Sequence, residues 1–235
     1  MISALIVAGG SGVRMKDSRP KQYIPLKGLP IVAHTLRAFD ACPRIDQLVW
    51  VMPQDDLEKC GQPLLSSIGL KKPVLRVAGG PRRQDSVYNG LKAIASDDGI
   101  VAIHDGVRPF VRSAQIVACI LAAEAMGACI LGLPAHDTLK QVDAFGGIVQ
   151  TLSRESIWLA QTPQVFRCDL IRAAHEKARS DGVTGTDDAF LVERMGKPVG
   201  VIPGSRFNIK ITTPEDLVLA EAILRNWRQD EFQSE

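Results

Sequence analysis

Short β-branched apolar runs alternate along this chain with longer segments whose apolar positions recur every three or four residues, the spacings of a buried strand and an amphipathic helix. Strands are predicted at 3–8, 47–52, 74–77, 100–104 and 128–133, with helices between them at 30–41, 83–95 and 113–127. That alternation marks an α/β fold, a mostly parallel sheet with helices on both faces. The second helix opens near Asp85-Ser86, and Ser113 is placed to cap the third. Helices are also expected near 167–180, 186–195 and 214–226, and strands near 199–202 and 207–211. Residues 116–133 are apolar enough to suggest a membrane span, but Glu124 and Gly127 interrupt them and Pro134 follows. A buried helix running into a buried strand is the better account.

Residues 134–153 break the rhythm: Asp137 to Val142 and Ile148 to Leu152 flank a Phe145-Gly146-Gly147 turn, the pattern of a β-hairpin. A hairpin inserted outside an α/β core serves as a lid or as an arm gripping another subunit, and the arm is the expectation here. No repeat or linker divides the chain, which predicts one domain over 1–235 carrying that arm.

Composition mainly excludes. The chain has 235 residues, 46% of them hydrophobic, enough for a sizeable core. Its net charge is only +2 and its basic residues are scattered, which argues against a nucleic-acid groove or a polybasic membrane patch. Cysteines at 42, 60, 119, 129 and 168 form no Cys-x-x-Cys pair. They read as reduced thiols of a cytoplasmic protein, with no disulfide and no zinc. No basic region precedes the first apolar run, so the amino terminus is expected to be a strand and not a signal peptide.

The candidate chemistry lies where strands end, since open sheets bind ligands beyond the carboxyl ends of their strands. After the run Ala4 to Ala8 come Gly9-Gly10-Ser11-Gly12-Val13-Arg14-Met15 and then Pro20-Lys21-Gln22. A loop poor in Cβ atoms lets phosphates approach backbone N–H groups, and Arg14 and Lys21 add positive charge. Met15 stands where the dinucleotide fingerprint needs glycine, and no Gly-Lys-Ser/Thr ending makes this a P-loop. The competing account is a surface turn with a solvated Arg and Lys; Pro20, which stiffens the chain ahead of Lys21, favours an aimed lysine.

His104-Asp105-Gly106-Val107-Arg108-Pro109 follows an apolar strand. Asp105 suits sugar hydroxyls or magnesium, met directly or through water, and Arg108 suits a phosphate; an Asp–Arg pair closing a turn is the plainer alternative. His104 reads as structural. In Gly79 to Val87, Arg83 is the better ligand candidate, Arg82 reads as solvated and Ser86 as a cap. Arg154, with Gln161-Thr162-Pro163-Gln164, forms a third polar group. Thr186 reads as a helix cap, and Lys210 as a strand residue between apolar neighbours. Arg14, Lys21, Arg83, Arg154 and Lys210 together suit a triphosphate and a second phosphate.

These residues resemble a known family, the 2-C-methyl-D-erythritol 4-phosphate cytidylyltransferases. The likeness is carried by AGGSGVRM, PKQYIPL, GGPRRQDSV, HDGVRPF, RESIWLAQTPQVF, TDDAFLVE and NIKITTPEDL. It implies a Rossmann-like nucleotidyltransferase fold, an arm that clasps a second subunit in a homodimer, and transfer of CMP from CTP to the polyol phosphate with release of magnesium pyrophosphate. It further implies that Arg14 and Lys21 stabilise the transition state and that Arg154 and Lys210 position the attacking phosphate. Ala8, Gly9, Gly10, Gly12, Gly80, Arg83, Ser86 and Gly106 would hold the nucleotide. Asp105, Arg108, Thr138 and Thr186 would contact the polyol, with Arg108, Thr138 and Arg154 reaching in from the partner chain. The alternatives are a ribitol 5-phosphate cytidylyltransferase, which shares the Gly-rich loop and the His-Asp-x-x-Arg-Pro motif, and a CTP-binding regulatory module without turnover.

Overall fold

The structure, a computed structural model, describes residues 1–10 and 19–226. Six strands run parallel in two groups: β1 (Ile2–Val7), β4 (Gln47–Met52), β5 (Val74–Ala78) and β6 (Ile100–Asp105) in one, β7 (Ala128–Pro134) with β11 (Gly200–Pro203) in the other. Between the groups lies β10 (Trp158–Arg167), antiparallel to both β6 and β7, so the seven-stranded order is β11-β7-β10-β6-β1-β4-β5. The crossover helices that parallel strands require are α1 (Ile31–Asp40), α2 (Gln62–Ile68), α3 (Arg83–Ala93) and α4 (Ser113–Met126), while α5 (Cys168–Ser180) and α6 (Asp188–Glu193) lead from the antiparallel β10 to β11. A last helix, α7 (Pro214–Arg225), covers the short hairpin β2 (Pro25–Leu26) and β3 (Leu29–Pro30).

The period of two along a strand explains the two cores. In β1, Ala4 and Ile6 face Leu36, Phe39 and Ile120 of α1 and α4, whereas Leu5 faces Val87 and Leu91 of α3. Both faces are therefore apolar, which is why the parallel strands read as continuous runs. A third cluster, with Ile24, Leu26, Val107, Phe110, Ile211 and Ile223, closes one end of the sheet. No described helix is long and apolar enough to cross a membrane, and 116–133 is indeed α4 followed by β7. All five cysteines are free thiols.

Several expectations need correction. Strand β10 went unpredicted because Pro163 and its polar neighbours disguise it; the proline falls where the register with β7 shifts between Ala160 and Gln164, so its missing N–H breaks no ladder bond. Residues 207–211 are not a strand. Their apolar alternation arises because Ile209 and Ile211 pack on the third cluster, and Ile211 N–H donates to the Val107 carbonyl at 2.9 Å. Helix α6 starts at Asp188, with Asp187 and not Thr186 as the cap, its carboxylate accepting from Phe190 N–H at 3.0 Å. Ser113 is the first residue of α4, and Arg112 before it donates its backbone N–H to the Gln115 side chain at 3.3 Å.

The predicted hairpin forms: β8 (Leu139–Val142) and β9 (Ile148–Leu152) make a two-stranded sheet separate from the main one. It leaves the end of β7 and returns into β10, and Val142, Phe145, Ile148 and Val149 stand exposed along it.

Candidate active site

Three loops meet at the carboxyl ends of the parallel strands and form one cleft. Ala8 N–H donates to Val51 O at 2.8 Å, Gly106 N–H to Val7 O at 2.8 Å and Gly79 N–H to Met52 O at 2.7 Å, so the loops after β1, β5 and β6 are stitched to the sheet. The strand ends come this close because residue 106 has no side chain: a Cβ there would lie 2.9 Å from the Ala8 Cβ. Gly80 is needed for the same reason, since a Cβ would lie 2.5 Å from that of Asp85. Ser86 fastens this loop. Its hydroxyl accepts from Gly80 N–H at 3.0 Å and donates to the Arg82 carbonyl at 3.1 Å, from inside α3 and not as its cap.

Ala8, Gly9, Gly10, Gly80 and Ser86 line the cleft, and so do the charged residues Lys21, Arg83, Asp105 and Lys210. The Lys21 side chain crosses Gly10, where a Cβ would lie 3.9 Å from the Lys21 Cε. Asp105 is the hub of the charges: its carboxylate is 3.1 Å from Arg83 Nε, 2.9 Å from Lys210 Nζ and 3.4 Å from Arg108 Nε. Arg83 also reaches the buried Asp188 at 2.8 Å, and Asp188 meets His175 Nε2 at 3.1 Å. Burial alone would raise the pKa of Asp105, but Arg83, Lys210 and Arg108 outweigh it and hold the carboxyl below the usual carboxylate range. Burial disfavours charge on Arg83 too, and Asp188 and Asp105 overturn that, so its guanidinium stays charged. Three cations against two carboxylates leave this cluster one positive charge in excess, and Lys21 lines the same cleft.

A polar layer beneath holds these groups in place. Thr162 Oγ1 accepts from Asp105 N–H at 3.1 Å and lies 3.0 Å from His104 Nδ1. His104 is fully buried, packs against Phe39 and has its pKa lowered to about 4 by burial; it is structural. Asn208 donates to Thr162 O at 2.8 Å, and its own carbonyl accepts from Arg108 at 2.7 Å, which pins the irregular 208–211 segment and delivers Lys210 to Asp105. Gln164 donates to Asp187 at 2.7 Å and accepts from Asp188 N–H at 3.0 Å, seating the buried acid. Asp188 and Asn208 were not predicted as site components; Thr162 and Gln164 were expected only as part of a polar group with Arg154, and the structure sets them under the cleft while Arg154 stands exposed at the hairpin root.

Other predicted residues stand apart from the cleft. Arg108 lies beneath it, with its Nε 3.4 Å from Asp105 and its Nη1 donating to the Asn208 carbonyl at 2.7 Å. Asp–Arg pairing at that turn is thus real, as part of a larger cluster. Arg82 is the exception: it lines the cleft rim, is largely exposed as expected, pairs with Asp85 at 2.8 Å and donates to Thr184 at 2.6 Å. Thr186 is exposed on the loop that Gln84 ties down through Gly185 N–H. Thr138 and Arg154 are exposed at the root of the hairpin, where Arg154 donates to the His136 carbonyl. Gly12 and Arg14 lie outside the described residues.

As a metal ligand Asp105 fits poorly, because a dication bound to it directly would sit among three cations. Among the described residues no group of three or more His, Cys, Asp or Glu could hold a metal.

A profile of the family 2-C-methyl-D-erythritol 4-phosphate cytidylyltransferase matches residues 2–226. The chain belongs to that family. Among proteins bearing this name, that of Syntrophus aciditrophicus is 50% identical over 224 residues, 95% of this chain and 96% of its own length. The protein of Geotalea uraniireducens is 48% identical over 227 residues, 96% of this chain and 97% of its own. The crystal structure of the 4-diphosphocytidyl-2C-methyl-D-erythritol synthase of Anaerococcus prevotii superposes with a TM-score of 0.85 at 34% identity, covering 95% of this chain and 96% of that one. A cytidylyltransferase of the same family from Thermus thermophilus gives 0.76 at 33% identity, with 95% and 98% covered. These neighbours share the Rossmann-like nucleotidyltransferase fold described above.

Proposed function

We propose that this chain transfers CMP from CTP to 2-C-methyl-D-erythritol 4-phosphate, giving 4-diphosphocytidyl-2-C-methyl-D-erythritol and pyrophosphate. The observation that carries the reading is the family match over residues 2–226 on a chain whose Gly9, Gly10, Lys21, Arg83 and Lys210 line a single cleft. An oxygen of the polyol phosphate attacks the α-phosphorus of CTP in line. A new P–O bond forms as the bond to the β-phosphate bridging oxygen breaks, and pyrophosphate leaves.

Two polyanions must be brought together and charge builds on the bridging oxygen, so placement and electrostatics supply most of the acceleration. Lys21, and Arg14 by family likeness, stabilise that charge. The backbone of Ala8, Gly9, Gly10, Gly12, Gly80 and Gly106 receives the nucleotide with Ser86 and Arg83. Lys210, held 2.9 Å from Asp105, presents an ammonium already fixed in position to the attacking phosphate, and Asp105 and Thr186 face the polyol. Thr138 and Arg154, exposed at the hairpin root, act on the site of a second subunit clasped by the arm, whose exposed apolar residues suit that contact. Magnesium enters as part of the substrate, carried by the triphosphate.

Pyrophosphate release from CTP, with methylerythritol phosphate and ribitol phosphate offered in parallel, tests the reading. Release with the first alone sustains it. Release with ribitol phosphate alone reassigns the substrate, and tight CTP binding without release points to a regulatory module.

A further inference from the structure

Four glutamines among the described residues are buried, and three of them bond at both ends. Gln84 donates to Val183 O and accepts from Gly185 N–H. Gln161 donates to Ser205 O and accepts from Ser205 N–H. Gln164 donates to Asp187 and accepts from Asp188 N–H. Gln22 is the exception: it is fully buried, and neither its Nε2 nor its Oε1 finds a partner among the described residues.

Its position makes the exception informative. Gln22 is the middle residue of a single 3-10 turn, Lys21–Tyr23, and lines the same cleft as Lys21, Ser86 and Asp105. Several other buried side chains also leave an atom unbonded, but none of them lines this cleft. The turn does not need the carboxamide for its own closure, since Tyr23 N–H donates to Pro20 O at 2.9 Å and Ile24 N–H to Lys21 O at 3.3 Å, while Ile24 and Leu26 anchor it in the third apolar cluster. A buried carboxamide that forgoes all its hydrogen bonds destabilises the empty protein, whereas an apolar side chain of the same shape would not. Its retention at a ligand cleft calls for a partner that arrives with the ligand.

We propose that Gln22 is a further substrate-contacting residue whose Nε2 donates to a phosphate oxygen of the bound nucleoside triphosphate and whose Oε1 accepts from a hydroxyl group. A phosphate has no proton to offer Oε1 at neutral pH, so phosphate alone would leave half of the carboxamide unmet; a nucleotide carries both phosphate oxygens and sugar hydroxyls. Adjacency to Lys21, whose side chain crosses the Gly-rich loop, places the donor on the triphosphate side of the cleft. The inference rests on the proposed CTP-dependent activity and adds a neutral donor to its charged residues.

Gln22→Met, close in length and without the polar ends, and Gln22→Glu, of the same shape but anionic, test it. The unliganded melting temperature, CTP binding by calorimetry, and separate KM values for CTP and the polyol phosphate are measured on the full chain. For Gln22→Met the expectation is an unliganded melting temperature at or above wild type and CTP binding weakened about tenfold or more, the scale of one lost buried hydrogen bond to a charged group. The KM for the polyol phosphate should stay within about twofold, and Gln22→Glu should weaken CTP further by repulsion. CTP affinity within about twofold of wild type in both variants overturns the proposal. So does a Gln22→Met protein that melts lower yet binds CTP normally, which makes the residue structural, or a change confined to the polyol phosphate. If Gln22→Met does not fold, Gln22→Glu decides alone. A wild-type protein that binds CTP but releases no pyrophosphate overturns the activity while leaving the Gln22 comparison intact.

Discussion

Replacing Asp188 by Asn removes a buried negative charge that contacts Arg83 at 2.8 Å and His175 at 3.1 Å. The acid is 1% exposed at its side chain and Arg83 29%, so water replaces little of what is lost. With charge centres about 4 Å apart and an effective dielectric near 20, the attraction is about 4 kcal/mol, in line with the roughly 3–5 kcal/mol that breaking a buried pair costs. A chain of 235 residues loses about 2–4 °C of melting temperature per kcal/mol, so Asp188→Asn should melt about 6–20 °C below wild type. The pair is isolated by a cycle with Arg83→Gln and the double variant, followed by calorimetry and urea denaturation. Because each single change deprives the other charge of its nearest partner, leaving Arg83 only Asp105 or Asp188 only His175, the double variant should lose less than the sum of the singles by at least about 1.5 kcal/mol. Losses that add to within about 0.5 kcal/mol would refute the claim that Asp188 and Arg83 act as one unit.

Lys21→Ala should lower kcat by about two to three orders of magnitude with a smaller change in KM, the usual consequence of deleting one charge stabiliser; a rise in KM alone would make Lys21 a binding residue only. A heterodimer of one Lys21→Ala chain and one Arg154→Ala chain should recover about half of wild-type activity from two inactive parents, because one of its two shared sites is intact; an inactive heterodimer sinks the proposal of shared sites. Stability should fall as pH drops from about 6.5 towards 4. Burial lowers the His104 pKa to about 4 from about 6.5 in the unfolded chain, so the unfolded state binds more protons across that window. The loss from His104 is ~3 kcal/mol, His34, also lowered by burial, adds to it, and a flat urea midpoint between pH 6.5 and 4.5 would contradict the assignment.

How much of this was legible in the sequence depended on whether one residue's neighbours in the chain are also its neighbours in space. The parallel strands announce themselves because both faces are buried and every position is apolar. Lys21, Asp105 and Lys210 are visible because charge at the end of an apolar run is costly without a purpose. Strand β10 is hidden because Gln161, Thr162 and Gln164 are polar for tertiary reasons, each bonded to a segment at least 23 residues away. Asp188 looked like a favourable acid in a first helical turn; that its carboxylate instead anchors Arg83, 105 residues distant, has no local signature. Residues 207–211 were mistaken for a strand because alternation reports an extended chain and is silent on whether a ladder partner exists.

The carboxylate of Asp105 gathers cations from positions 83, 108 and 210, the last of them beyond every strand of the main sheet. A protein emerging from the ribosome can therefore lay down that sheet and both principal cores before the third ligand of the hub has been synthesised. Competence arrives late and all at once, so translation products and degradation fragments that stop short of Lys210 are expected to be inert even where they fold.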